Sequence, residues 1–393
     1  MHGYVFPNEI EVHWRLFIVL YPYITGLVAG AFIVSSLYHV FGRSELKPVS
    51  RLSLITALSF LFVAPLSLLL HLGQPLRAFN IMWTPNPTSA MAGFGYIYGF
   101  YMIIVLLEVW FIFRKDIVLY SENSKGVARL GYNLLSLGAK DLSKQTMATD
   151  HKIIYALALI GIPSAAFLHG YVGFIFGAIK ANAWWSTPLQ PVIFLLSAIV
   201  SGIALQIVIY AATSVIRRKK IDLDCMMSLN KYLWAFLIGA VTLEKLDVLQ
   251  KSYEARQAWP SIHMMLEEVL PFTESLQIYV GAVIPLVVLL IARWDKISAS
   301  FRQLLTIGSG AMVLVGVFAM RFNVVIGGQL ISKSNSGLTE FNPQLIAGEG
   351  ILPTAALMLL PLIILAVLSK ILPPWVEEEE TAVETQEKTV AVS

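Results

Sequence analysis

His169 is the one side chain that titrates near neutral pH in the apolar run Ala158–Gly177, which at about twenty residues is long enough to cross a bilayer as a helix. A polar group in hydrocarbon is costly, so it either bonds a neighbouring helix or faces a cavity where it does work. Further along, Glu244 and Asp247 stand three residues apart, which sets both carboxylates on one helix face. Arg321 and Asn323 close another apolar run, His71 closes a third, and Tyr23, with Tyr21, lies within two turns of the start of the first. Histidine beside a carboxylate is the pairing that exchanges protons near neutral pH. A redox carrier such as a quinone needs a proton donor or acceptor at each carbonyl, and an apolar slot for its tail. Plainer roles compete. Glu244–Lys245 and Asp247–Lys251 read equally well as ion pairs at wet helix ends, Arg321 as a cation snorkelling to the interface, and His71 as an interface residue. Glu108, near the inner end of its span, reads as structural.

The elements that must position these groups follow from composition. Of 393 residues, 57% are hydrophobic and 13% charged, with a mean hydropathy of +0.71. Soluble domains carry about twice that charged fraction, so the chain is an all-α polytopic membrane protein. Nine spans are expected, at 15–41, 52–72, 89–113, 152–179, 187–216, 230–249, 276–294, 301–322 and 353–371. They define a transmembrane region 15–371 between a terminus 1–14 and a tail 372–393. That tail opens on Glu377–Glu380 and reads as disordered. Residues 1–14 are polar and lack a basic n-region, so the first span is expected to be retained. Pro22, Pro65, Pro163, Pro191 and Pro285 are expected to kink their helices. The single cysteine, Cys225, leaves the chain without an iron–sulfur cluster of its own, and a net charge of +3 gives no reason to expect nucleic acid.

Basic residues set the orientation. The loops after spans 1, 3, 5 and 7, with the tail, hold 20 of the 28 lysines and arginines, including Arg217, Arg218, Lys219 and Lys220. By the positive-inside rule the N-terminus is outside and the C-terminus in the cytoplasm; the membrane expected is a prokaryotic inner membrane. His169 lies 17 residues past Lys152, about 25 Å along a helix, and so toward the outer face. Spans 2, 6 and 8 run the same way and bring His71, Glu244 with Asp247, and Arg321 to that depth. Span 1 starts there with Tyr21 and Tyr23. The outer segments 73–88 and 323–352 are proline-, aromatic- or glycine-rich and nearly uncharged, which suits docking more than free solvation.

Three stretches carry a resemblance: Thr25–Phe32, Leu72–Arg77 and Arg321–Gln329. They resemble the NrfD/polysulfide-reductase membrane-subunit family, over nearly the whole chain. His169-Gly170-Tyr171-Val172-Gly173 and Arg321–Gln329 look like its longer branch, most similar to the DsrP subunit of the sulfite-reduction-associated DsrMKJOP complex. The resemblance implies two four-helix bundles plus extra helices, no haem, and a menaquinone site near the outer face. It also implies a docked extracytoplasmic ferredoxin-like iron–sulfur subunit and, in a Dsr-type complex, a multihaem cytochrome c. His169, with Glu244 or Asp247, is implied at the quinone site, and Arg321 and Asn323 lie in a matching motif; Tyr171, His71 and Tyr23 complete the candidate binding set. The family's eight spans, or ten in some long members, differ from nine, and 246–275 is where a further or re-entrant segment would lie.

The expected function is therefore that of a quinone-exchanging subunit, without catalysis alone, which needs an electron partner. A secondary transporter or proton-conducting protein is the alternative, since intramembrane Glu and His fit it too, but no inverted repeat or midplane polar residue is evident. A haem-b anchor for two haems would need four histidines; His39, His71 and His169 lie in spans, and one haem between His71 and His169 is what is left of that reading.

Overall fold

The structure is a computed structural model that describes residues 2–9, 11–254, 257–346 and 348–375. The expected disordered tail thus lies, apart from 372–375, outside the described residues. Hydrocarbon leaves backbone N–H and C=O groups no partner but one another, and the chain answers with helices. In order these are α1 (Leu16–His39), α2 (Lys47–His71), α3 (Ala90–Asn123), α4 (Gly126–Leu135), α5 (Lys144–Gly177), α6 (Gln190–Ile216), α7 (Leu223–Tyr253), α8 (Trp259–Met264), α9 (Pro271–Ser275), α10 (Ile284–Ala292), α11 (Ala299–Phe322), α12 (Gly328–Leu330) and α13 (Ile351–Ile371). Three joins are π-helical, the first being Met265–Val269 between α8 and α9, and the other two make continuous rods. Leu276–Val283 fuses α9 and α10 into one rod, Pro271–Ala292, and Asn323–Gly327 fuses α11 and α12 into Ala299–Leu330.

Eight of the nine expected spans coincide with helices long and apolar enough to cross a membrane. The ninth, 230–249, is α7, and Lys231, Glu244, Lys245, Asp247 and Lys251 make it too charged to qualify on apolarity. Its contacts show that it runs the length of its neighbours nonetheless. Asn230 donates to the Leu289 carbonyl (3.3 Å) and accepts from Arg293 Nε (2.9 Å), Trp234 Nε1 donates to Leu286 (3.1 Å), and Glu244 accepts from Gln277 (2.9 Å). α7 therefore runs antiparallel along the Pro271–Ala292 rod, about 21 Å between Asn230 and Glu244. Its charges sit at its two ends, where a crossing helix can keep them.

The helices close two rings of four. α1, α2, α3 and α5 form one bundle; α6, α7, α10 and α11 form the other; α13 lies outside, against α2 and α1. The bundles meet along α1 and α6, where the backbones of Gly30 and Gly202 touch and a Cβ on either would enter the other helix. Small residues permit that approach where helices pack in lipid.

One end of the molecule carries the histidine–arginine cluster described below and is called the site end; the other carries most of the basic residues. At the site end the N-terminal strap is tied down. β1 (His2–Gly3) pairs antiparallel with β2 (Gly337–Leu338), Glu9 accepts from Ser332 Oγ (2.5 Å), and Trp14 and Gln329 exchange two hydrogen bonds of 2.8 and 2.9 Å. His71 pairs with Glu349 at the start of α13 (2.6 Å), while Ile371 at its other end accepts from Tyr132 at the basic end (2.9 Å). Leu16 and Ile371 therefore sit at opposite ends.

Several boundaries differ from expectation. α2 begins at Lys47, α3 runs to Asn123 and α5 begins at Lys144, so that Arg51, Arg114, Asp116 and Asp150 are buried helical residues where loops were expected. The ions make this possible by pairing: Arg51 with Asp116, and Arg114 with Asp150, Arg114 also donating to the Ala139 and Asp141 carbonyls (3.2 and 2.9 Å). The expected outer loop 246–275 is largely helical, with Ile262, Met265 and Leu266 buried, and holds no further span among the described residues. The segment expected to leave the helix at 323 stays helical to Leu330. α1, α2 and α5 continue through Pro22, Pro65 and Pro163, whereas Pro191 starts α6 instead of kinking it, because the first turn has no N–H to lose.

Candidate functional site

Where the two bundles join, α5, α6 and α11 bring His169, Ser197, Phe194 and Arg321 together. All four are buried. Arg321 Nη2 donates to His169 Nε2 (2.9 Å), to Ser197 Oγ (2.6 Å) and to the Phe194 carbonyl (3.5 Å), and its guanidinium lies 3.9 Å over the Phe194 ring. Gly26 on α1 makes the room: a Cβ there would stand 3.1 Å from the His169 ring.

The chemistry of the pair follows from donor counting. Arginine only donates, so His169 Nε2 accepts and the ring proton sits on Nδ1. Among the described residues His169 Nδ1 has no partner, nor have Arg321 Nε and Nη1. Three donor nitrogens, fully enclosed, are thus unspent in a place where unpaired polar groups are expensive. No carboxylate of the described residues touches the guanidinium, whose side-chain partners are His169 and Ser197. A buried cation with no contacting counter-ion is arranged to receive an oxygen that carries or develops negative charge.

Two cavities flank this cluster. On one side an apolar slot of about 720 Å³ opens among α1, α9, α11 and α13, lined by Tyr23, Leu276, Leu314, Phe318, Phe322 and Met358. That volume lies in the range of ordinary ligand pockets. Tyr23 stands at its inner wall, donating to the Leu314 carbonyl (3.1 Å) with its ring edge-on to Phe318 (5.3 Å). On the other side a polar cleft of about 50 Å³ is lined by Glu244, Lys245, Asp247, Lys251, Gln277 and Asn323, among others. A smaller cavity of about 30 Å³ touches both Glu244 and Ser197, and so leads from the cleft toward the arginine.

The two candidate carboxylates have different surroundings. Glu244 is half-buried and accepts from Gln277 Nε2 (2.9 Å), whose Oε1 accepts in turn from Asn323 (2.8 Å). Asp247 is bound to Lys251 (2.5 Å), and Lys251 donates to the Trp184 carbonyl (2.8 Å). Asp247 thus anchors the loop between α5 and α6, while Glu244 is the acid connected inward.

Of the other expected residues, Tyr171 donates to the Ala90 carbonyl (3.0 Å) and packs on Gly93, which ties α5 to α3 away from the arginine. His71 sits in its pair with Glu349 at the rim. The structure adds Ser197, Phe194 and Gln277. None of them stands out in sequence, since Ser197 lies in an apolar run with other small residues and Gln277 at the edge of a span. The π-helical Asn323–Gly327 explains Trp184 and Trp185. The two indoles donate to the carbonyls of Asn323 (3.1 Å) and Val324 (2.6 Å) in this π-helical segment.

The family description "Polysulphide reductase, NrfD" matches residues 6–333. A selenate reductase subunit of Mesobacillus selenatarsenatis is 34% identical over 203 residues, 50% of this chain and 48% of that protein. The Hdr-like menaquinol oxidoreductase integral membrane subunit of Archaeoglobus fulgidus is 22% identical over 82% of this chain and 72% of that protein. The protein NrfD of Escherichia coli is 27% identical over 50% of this chain and 59% of that protein. The matches span about half the length of the first of these relatives. The match across both bundles, from the N-terminal strap to beyond the π-helical segment, settles the assignment: the chain belongs to the NrfD/polysulphide reductase family of membrane proteins.

Proposed function

We propose that the chain is the quinone-exchanging membrane subunit of a respiratory oxidoreductase complex, and that its quinone ring sits against His169 and Arg321 with its tail in the apolar slot. The observation that carries this is the set of three unspent donors on His169 and Arg321, enclosed between an apolar slot of about 720 Å³ and a polar cleft. A quinone has the matching parts: carbonyl oxygens that accept hydrogen bonds, a ring that gains charge with electrons, and a lipid tail. Tyr23 forms the wall between slot and cluster, so the ring enters as Tyr23 exchanges its bond to Leu314 for the ligand.

In this reading Arg321 holds one carbonyl and stabilises the negative charge that builds there; His169 donates its Nδ1–H to a quinone oxygen and takes up a proton at Nε2 when that nitrogen is released from Arg321, becoming imidazolium until it passes the proton on; and Glu244, through Ser197 and the small cavity, passes protons to the cleft. Menaquinone is the quinone we favour, supported by the name of the Archaeoglobus relative. An electron partner is required because the single cysteine cannot hold a cluster, and we place an extracytoplasmic iron–sulfur subunit on the site end. The 75–83 segment supports this: Leu76 and Trp83 are each 81% exposed there. Assignment to a sulfite-linked, DsrP-like complex with a multihaem cytochrome c rests on the His169–Gly173 and Arg321–Gln329 segments alone. Orientation, with the site end outside, rests on the basic asymmetry.

A photoreactive naphthoquinone with an isoprenoid tail tests the site. Adducts are expected on α1 and α11 near Tyr23 and Phe318, displaced by menaquinone. Adducts confined to other helices would refute it.

A further inference from the structure

Glu108 has no part in the site above, and nothing in its surroundings uses it as a structural ion. It is fully buried on α3, and neither carboxylate oxygen has a partner among the described residues. The other acids buried in this bundle, Asp116 and Asp150, each hold an arginine. A carboxyl in a membrane bundle without a partner is expensive enough to mark a function.

Its depth can be read from ring contacts. α1 and α3 both run from the site end to the basic end, and the Phe32 and Tyr101 rings meet with centroids 5.6 Å apart, so they share a level. Two turns further on each helix are His39 and Glu108, about 10 Å nearer the basic end and level with each other. Among the described residues His39 Nε2 has no partner; nor have Ser35 Oγ between Phe32 and His39, Ser53 Oγ on α2, or the Tyr101 hydroxyl. The charged and titratable groups named around this layer are Arg51 and His151 near His39, and Asp116, eight residues past Glu108 and paired with Arg51 at the basic end. In the other direction Gly26 touches His169 six residues before Phe32, which puts His169 about 9 Å above Tyr101. Its Nδ1 is also unpartnered. A column of unsatisfied polar atoms thus runs through α1, α2 and α3 from the Arg51–Asp116 pair up to His169. In hydrocarbon such atoms are satisfied by protein or by buried water, and here protein does not supply the bonds.

We propose that Glu108, with His39 and Tyr101, forms a proton-binding site that links the basic end of the first bundle to His169 through buried water. This gives His169 a second proton route, to the face opposite the Glu244 cleft. The inference rests on the role given to His169 above. The chemistry is a relay: Glu108 takes a proton arriving past Arg51 and Asp116, and gives it up toward Tyr101 and His169, with no net change in the carboxyl. Glu244 serves one face and Glu108 the other, so quinone reduction at His169 can draw its protons from the basic end through Glu108, while quinol oxidation there can release them through the Glu244 cleft.

Dicyclohexylcarbodiimide reacts with protonated carboxyls in apolar surroundings, and the complex in native lipid can be labelled with it and mapped by mass spectrometry. Glu108 is expected to carry the adduct. Infrared spectra should show a carboxylic C=O band that shifts in D2O and is absent in Glu108→Gln. In vesicles, the proton uptake from the basic face that accompanies quinone reduction should fall about tenfold or more in Glu108→Gln. An unlabelled carboxyl that does not exchange, or unchanged uptake from that face in Glu108→Gln, overturns the proposal. Should Glu108→Gln fail to accumulate, labelling and exchange in the wild-type protein decide it. Wild-type protein that labels at Glu108 yet binds no quinone would retire the quinone reading and leave the proton site standing.

Discussion

At the scale of single residues, the separation of Glu244 from Asp247 is the most useful result. Sequence spacing puts both on one face and cannot rank them; their partners do. Asp247→Asn removes the acid of the buried Asp247–Lys251 pair, and the loss of one member of a buried pair costs about 3–5 kcal/mol. It should lower thermal stability in detergent and loosen the Trp184–Trp185 loop, with a smaller direct effect on proton transfer. Glu244→Gln should do the reverse, with near-normal melting and slowed quinol turnover. Melting curves and turnover of the two variants, side by side, check this; equal effects on both readouts would argue against distinct roles. Arg321 shows why the sequence reading stopped short. An arginine near a helix end reads as a snorkelling cation, and only the fold reveals that the helix continues as a π-turn past it and closes the site over it. Arg321→Lys keeps the charge but loses the planar fork, so quinone affinity should fall by about tenfold or more.

At the scale of elements, hydropathy located the long helices within a few residues of their centres, because a bilayer demands long apolar runs whatever else a protein does. It was weakest where charges are paired inside the bundle. Arg51, Asp116, Arg114 and Asp150 look like loop residues until their partners are known, and the ends of α2, α3 and α5 were misplaced for that reason. α7 is the converse: a charged helix packed along its apolar neighbours because its charges sit at its ends. Cysteines placed at Lys220 and Glu254, before and near the end of α7, should react with impermeant maleimide from opposite sides, with Lys220 on the cytoplasmic side. Labelling of both from one side would mean that α7 does not cross. The α1–α6 crossing depends on Gly30 and Gly202 having no side chains. Gly30→Val should therefore separate the bundles and abolish assembly, whereas the same change at Gly99, which has open space, should be tolerated as assayed by detergent-solubilised yield.

At the scale of the whole molecule, the two bundles divide the candidate site between them. The first carries His169 and the column below it; the second carries Arg321 and Glu244 and walls the cleft; α13, outside both, closes the apolar slot. Family membership was legible in three short stretches, two of which, Thr25–Phe32 and Arg321–Gln329, shape this junction. Ser197, Gln277 and the cavities were not, since they arise only when helices far apart in sequence meet. The most direct test is the rate of menaquinol oxidation by the assembled complex carrying His169→Ala. The account predicts normal assembly and a rate lower by about 10²–10⁴, as for a lost acid–base group. An assembled variant that oxidises menaquinol at the wild-type rate would contradict it.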